Sequence, residues 1–86
     1  PKVSLVFAPN KRMRQRYAVV VSKKVLKTAV GRNQIRRRVY EAIRLEFDPN
    51  LKLDCIFVIY SKDFTKMDFD QIRAMISDLL EKARTE

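Results

Sequence analysis

The stretch Ser22–Phe47, SKKVLKTAVGRNQIRRRVYEAIRLEF, decides the fold. It reads as a strand end, a short polar connection and one strongly basic amphipathic helix. On a wheel of about 100° per residue with Ile35 at zero, Val39, Ala42 and Ile43 fall within about 80° of it, the stripe of a helix that seeks a core. On the far side Asn33, Arg37, Tyr40 and Arg44 fall within about 60° of one another, with Arg36 beside them. A solvated helix face ordinarily mixes charge signs for i,i+4 support, whereas the only acid between Asn10 and Arg44 is Glu41. One face of the helix therefore seeks a sheet, while the other offers guanidinium groups, an amide and a phenol to a polyanion.

Working outward, Thr28 is the expected N-cap, its hydroxyl accepting from a free amide of the first turn. The helix is expected from about Ala29 to Phe47, with Asp48-Pro49-Asn50 ending it, because proline disfavours a helical residue before it. Gly31 in the first turn costs up to ~1 kcal/mol against Ala. The expected compensation is close approach of a neighbouring strand or of RNA backbone. Before the helix, Lys2–Ala8 and Tyr17–Lys24 read as strands, the first stopped by Pro9-Asn10. Lys11–Arg16 (KRMRQR) is a basic connector, either a solvated loop or a phosphate contact. In the second strand Tyr17, Val19 and Val21 point one way and the smaller Ala18, Val20 and Ser22 the other. That smaller face suits a closely approaching ligand, a packed helix or plain solvent.

After the helix, Leu53–Tyr60 is a nearly continuous apolar run, which suits an interior strand covered on both faces. Following a short linker, Asp68 and Gln71 form a variant capping box for a last helix with Phe69, Ile72, Met75 or Ile76, Leu79 and Ala83 on one face and a solvated face of mixed sign opposite. The expected order is β-β-α-β-α in one domain, a two-layer α/β (α+β) sandwich whose basic helix joins two parallel neighbouring strands.

The chain has 86 residues, 19 Lys plus Arg against 10 Asp plus Glu, and a net charge of +9. Asn10–Arg44 holds twelve of those bases and one acid, so the charge is a pole and points to nucleic acid first and an anionic membrane surface second. A surface-bound membrane helix needs large apolar residues for insertion; the Ile35–Val39–Ala42–Ile43 stripe is core-like instead. There is no His, and the single Cys55 lies in an apolar run, so zinc, disulfide and Cys-His chemistry lack their other members. This is consistent with a reducing cytoplasm. No phosphate-cradling glycine loop is present, and the paired Asp68 and Asp70 fit a helix start better than a metal.

The run Val19-Val20-Val21-Ser22-Lys23-Lys24, followed by Ala29-Val30-Gly31-Arg32-Asn33-Gln34-Ile35-Arg36-Arg37 and Glu41, resembles the signature of the bacterial ribonuclease P protein subunit, a strand ending in S-x-S-K-K before A-V-x-R-N-x-x-K/R-R-x-x-R-E on a helix. The sequence departs from that pattern at Leu26 and Lys27, where Gly and a short polar residue are common, at Val20-Val21-Ser22, and at Tyr40, which keeps a hydrogen-bonding tip but replaces an Arg. Arg38 lies about 160° round the wheel from Tyr40 and is no substitute for that Arg. The family's first helix is expected to be absent, since the sequence begins in strand.

The resemblance implies a left-handed β-α-β crossover and a role as the protein subunit of a ribozyme that removes 5′ leaders from precursor tRNA. The RNA subunit and the Mg²⁺ it requires would perform the hydrolysis, so no protein side chain is catalytic and no cofactor is assigned to the protein. Arg32, Asn33, Arg36, Arg37, Tyr40 and Arg44, with Lys23 and Lys24, are the candidate contacts to the catalytic RNA. Ser4, Val6, Ala18, Val20 and Ser22 would floor the groove for the leader, and Lys23 and Lys24 lie at its edge. The alternative is a ribosomal or other structural RNA-binding protein, with the same charge pole and no leader groove.

Overall fold

The computed structural model describes residues 2–11, 15–46, 48 and 52–85. Strands β1 (Val3–Pro9), β2 (Arg16–Val21) and β3 (Leu53–Ile59) form one sheet in the order β1-β3-β2. β3 runs antiparallel to β1 and parallel to β2. Helix α1 (Ala29–Leu45) carries the chain from β2 to β3, and helix α2 (Phe69–Thr85) follows β3 after a 3-10 turn at Lys62–Thr65. The β-β-α-β-α order and the parallel β2–β3 pair are those expected from the sequence.

The alternation of side chains along a strand sorts the sheet into two faces. Val3, Leu5 and Phe7 of β1 lie in register with Ile59, Phe57 and Cys55 of β3, and these with Val21, Val19 and Tyr17 of β2. This face meets the helices. The α1 stripe Ile35, Val39, Ala42 and Ile43 is wholly buried and joins Phe57, Ile59 and the α2 residues Ile72, Ile76 and Leu80 in one core. Cys55 is buried there too, and its thiol is pushed up by burial, with a hydrogen bond from Gln15 pulling the other way. Gln15 is itself buried; its amide also accepts from the Asp48 backbone N–H at 3.5 Å.

The structure changes several expectations. β2 ends at Val21 rather than Lys24, because the Ser22 carbonyl accepts from Val25 and Leu26 N–H and turns the chain. α1 ends at Leu45, where Glu46 N–H closes back on Ala42 and Ile43 carbonyls; Phe47, Pro49 and Asn50 lie outside the described residues, as do Arg12, Met13 and Arg14 of the basic connector. β3 is central in the sheet but covered on one face only, since its alternate residue Ile56 is 42% exposed. The linker after β3 holds the 3-10 turn, with Phe64 fully buried. On α2 it is Leu80, not Leu79, that is buried, while Leu79 packs partly buried at the margin. Nor is the polar side of α2 merely solvated: Arg73 meets Glu46 at 2.7 Å and Arg84 meets Asp48 at 3.3 Å. Glu46 sits at the C-terminal end of α1, where a carboxylate opposes the helix dipole, and Arg73 offsets that charge.

The Asp68–Gln71 box forms in its reciprocal half, the Gln71 side-chain oxygen accepting from Asp68 N–H at 3.2 Å. Because Ile35 is wholly buried and Val58 faces the open side of the sheet, Ile35→Ala should lower the unfolding free energy by about 2–5 kcal/mol. Val58→Ala should cost about 1 kcal/mol or less. Urea unfolding of the two variants checks this, and equal losses would place Val58 in the core.

Candidate nucleic-acid interface

The connection from β2 to α1 presents the first cations. Lys23 and Lys24 project from the turn that begins at Ser22, exposed and with no partner among the described residues. Thr28 caps α1, its hydroxyl accepting from Gly31 N–H at 3.1 Å. Arg32 reaches back along the connection and donates from Nη1 to the carbonyls of Leu26 at 2.9 Å and Lys27 at 2.8 Å. It is thus a brace for the turn as well as a charge. Within the chain, Gly31 is crowded by its own connection rather than by a neighbouring strand: a Cβ there would stand 2.3 Å from Leu26 Cδ2 and 2.8 Å from the capping Thr28 Oγ1. Leu26 folds over the first turn of the helix, and the missing side chain makes room for it.

Along α1 the outward cations differ in what already holds them. Arg36 donates to the Asn33 side-chain oxygen. Arg44 forks onto Glu41, with Nε–Oε2 at 3.1 Å, and the hydrogen bonds from that guanidinium hold the Glu41 carboxyl below the usual carboxylate range. Arg37 is exposed and has no partner among the described residues. Arg38, on the opposite flank, donates to the Phe64 carbonyl at 2.7 Å and to that of Met67, tying α1 to the 3-10 turn. Beside it an open hollow of about 580 Å³ is lined by Val30, Gln34, Arg37, Arg38, Glu41 and Phe69.

Tyr40 is turned toward the sheet. Its hydroxyl accepts from Val19 N–H at 3.2 Å, and its ring lies 5.8 Å from that of Tyr17. The departure from Arg is therefore absorbed by a contact between α1 and β2, which the helical wheel could not reveal because it carries no information on neighbouring strands.

The second surface is the uncovered side of the sheet. Ser4, Val58 and Val20 form one cross-strand row, Val6, Ile56 and Ala18 the next, and Ala8, Asp54 and Arg16 the third. Val6 is 58% and Val20 47% exposed. The two strands flagged in sequence thus bring Ser4, Val6, Ala18 and Val20 onto one face, and Ser22 follows immediately after β2, exposed. What the sequence reading missed is the middle of that face, Ile56 and Val58, and its ends. At one end Arg16 forks onto Asp54 with both contacts at 2.7 Å, and Asn10 donates to the same carboxylate at 2.9 Å. At the other, the hydroxyls of Tyr60 and Ser4 are hydrogen-bonded at 3.0 Å. A shallow hollow of about 340 Å³ lies beside Arg16, Ala18, Asp54 and Ile56. Among the described residues no cluster of His, Cys, Asp or Glu suits a metal ion, and no helix is long and apolar enough to cross a membrane.

Fold and site together define a small α+β domain with a basic helix on one side and an open, largely uncharged sheet face on the other. Residues 1–84 match the sequence profile of the Ribonuclease P family, and the chain belongs to the ribonuclease P protein family. It is 40% identical over 78 residues to the ribonuclease P protein component of Roseiflexus castenholzii, covering 88% of this chain and 62% of that protein. To the component of Herpetosiphon aurantiacus it is 38% identical over 85 residues, covering 98% and 68%. The chain spans about 62% of the length of the two Roseiflexus relatives it matches. Among solved structures, the Staphylococcus aureus RNase P protein superposes with a TM-score of 0.76 at 27% identity, covering 94% of this chain and 73% of that one. The Thermotoga maritima RNase P protein, in complex with 1-(4-fluorophenyl)-2-thiourea, gives 0.78 at 25% identity, covering 92% and 77%.

The fit of Leu26 over Gly31 predicts an energetic coupling. Gly31→Ala should fail to deliver the helix-propensity gain of up to about 1 kcal/mol. In a double-mutant cycle with Leu26→Ala each change should be better tolerated in the presence of the other, by about 0.5–3 kcal/mol. Additive unfolding energies would show that Leu26 does not fill the space over Gly31.

Proposed function

We propose that this chain is the RNA-binding part of a ribonuclease P protein subunit, which binds the catalytic RNA and the 5′ leader of precursor tRNA and so promotes 5′ maturation of tRNA. The observation that carries this is the pairing of two unlike surfaces on one small domain: the outward arginine face of α1, and an open sheet face with few charges. Phosphates attract the first. Guanidinium groups meet phosphate oxygens in bidentate fashion, and each contact releases counterions from the RNA. The second suits a single strand, whose bases are unstacked and present flat apolar faces. A purely structural RNA binder would need only the first surface.

The cations divide accordingly. Arg37, Lys23 and Lys24 have no intramolecular partner among the described residues to give up, so they meet phosphate at the least cost. Arg36 with Asn33 forms a preset pair of polar groups, and Arg32 keeps the turn in place through Nη1 alone, with no partner for its other N–H groups among the described residues. Arg44 must exchange Glu41 for a phosphate, and Tyr40 contributes by holding the helix rather than by charge. Ser4, Val6, Ala18, Val20 and Ser22, now with Ile56 and Val58, floor the leader groove. Hydrolysis belongs to the RNA subunit and the Mg²⁺ it holds, and the protein acts by binding and positioning in the bacterial cytoplasm.

Reconstitution with a cognate catalytic RNA tests this, with cleavage of precursor tRNA followed at low Mg²⁺. The protein should restore cleavage, and binding of structured RNA without any effect on cleavage would favour the structural alternative. Within that assay Arg37→Ala should weaken binding to the catalytic RNA and lower the log-log salt slope by roughly 0.7–0.9, with unfolding energy unchanged. Arg38→Ala should instead lower stability and leave the salt slope as it was. The reverse pattern would put the phosphate contacts on the other flank of α1.

A further inference from the structure

The open face carries one aromatic ring among the described residues, and its setting is specific. Asp54, Ile56, Val58 and Tyr60 alternate onto the same side, so Tyr60 continues the row that floors the proposed groove. Its backbone is fixed, for Tyr60 N–H donates to the Lys2 carbonyl at 2.9 Å and extends the pairing with β1 one residue beyond β3. The residue is 55% exposed. The hydroxyl and Ser4 Oγ are 3.0 Å apart, which pins the ring from the neighbouring strand while leaving the rest of it open. The other described aromatic side chains are spent elsewhere: Phe57 and Phe64 are fully buried, Phe7 and Tyr17 pack against the core, Tyr40 faces β2, and Phe69 lies on α2.

We propose that Tyr60 is the stacking platform for a base of the single-stranded leader. This rests on the leader groove proposed above and adds the residue that sets affinity within it. An aliphatic floor of Val6, Val20, Ile56 and Val58 excludes water but offers little purchase on a base. An aromatic ring offers its whole face, and stacking is tolerant of base identity because every base has a π-face. The geometry also sets the extent of the strand that is held. From Tyr60 to Asp54 is six residues of strand, about 20 Å at ~3.3 Å per residue. Sheet surfaces with exposed aromatics hold two or three bases. The Arg16–Asp54 pair fences the far end, and beyond Tyr60 lies the Lys2–Asp63 pair at 3.4 Å. Lys2 would have to exchange Asp63 for the phosphate of the stacked nucleotide.

The test uses the full protein assembled with its catalytic RNA. Precursor tRNA and mature tRNA are titrated against complexes carrying Tyr60→Ala, Tyr60→Phe or Ile56→Asp, and a parallel precursor carries 2-aminopurine in its leader. Tyr60→Ala should weaken precursor binding by roughly 5- to 150-fold, the range expected for one stacked base, and leave mature tRNA binding unchanged. Tyr60→Phe should stay within about threefold of the parent, since the ring remains. At one leader position 2-aminopurine fluorescence should be quenched by the parent and by Tyr60→Phe but not by Tyr60→Ala. Ile56→Asp should also lower precursor affinity, by placing a carboxylate against the leader. If Ile56→Asp lowers it and Tyr60→Ala does not, the face binds the leader and Tyr60 is not its platform. If neither changes discrimination, the leader lies elsewhere and both proposals fall. Equal losses in Tyr60→Ala and Tyr60→Phe would show that the hydroxyl matters and the ring does not stack.

Discussion

Everything in this domain hangs on the burial of one helical stripe. Ile35, Val39, Ala42 and Ile43 are wholly removed from water, and their position on the helix fixes where every other α1 side chain points. A sheet of three strands and two helices of seventeen residues has little core to spare. A domain of this size buries a smaller fraction of its surface than a larger one and is correspondingly marginal. Rotating α1 by a third of a turn would expose the stripe and bury guanidinium groups, and either change costs more than such a domain can absorb. The orientation of the cationic face is therefore a by-product of apolar packing.

The arginines show how little a formal charge reveals by itself. Arg38, Arg32 and Arg16 are engaged with carbonyls or a carboxylate of their own chain, and each fastens one joint: α1 to the 3-10 turn, the β2–α1 connection, and the edge strand to the central one. Arg73 and Arg84 of α2 do the same with Glu46 and Asp48, just past the C-terminal end of α1. The charge is left in solvent at Arg37 on the outer face of α1 and at Lys23 and Lys24 in the turn before it. A pole of positive charge that reads as uniform in the sequence is thus partly architecture, and these exposed pairs contribute modestly one by one while setting how the elements meet.

What the sequence disclosed follows from which constraints are local. The α1 stripe, the Thr28 cap and the strand alternation depend on periodicity and on neighbours within four residues, and they are found where expected. The resemblance to ribonuclease P proteins rested on the same short stretch, and the family match extends over residues 1–84. The open side of β3 was hidden because a continuous apolar run signifies a strand covered on both faces unless one knows that a face is left bare. Phe64 was missed for the complementary reason, as a single apolar residue in a polar linker gives no period. Leu79 and Leu80 differ by one step of 100° on α2, and only the direction of approach of the sheet separates them. The partners of Tyr40, Arg38 and Gly31 lie on other elements or around a turn, and no spacing rule encodes them.

The hydroxyl of Tyr40 has a consequence for how this molecule behaves in company. β2 lies at the margin of the sheet, and the unpaired amides of a marginal strand are a template on which another chain can add itself. Proteins commonly blunt such margins with lysine, proline or a bulge; here a phenol from the helix occupies the Val19 amide, and the Tyr17 ring stands next to it. An arginine in that place would keep a donor pointed at a donor and leave the amide vacant. Tyr40 in place of an Arg thus gives up one positive charge and covers one of the amides through which a further strand could pair with this margin.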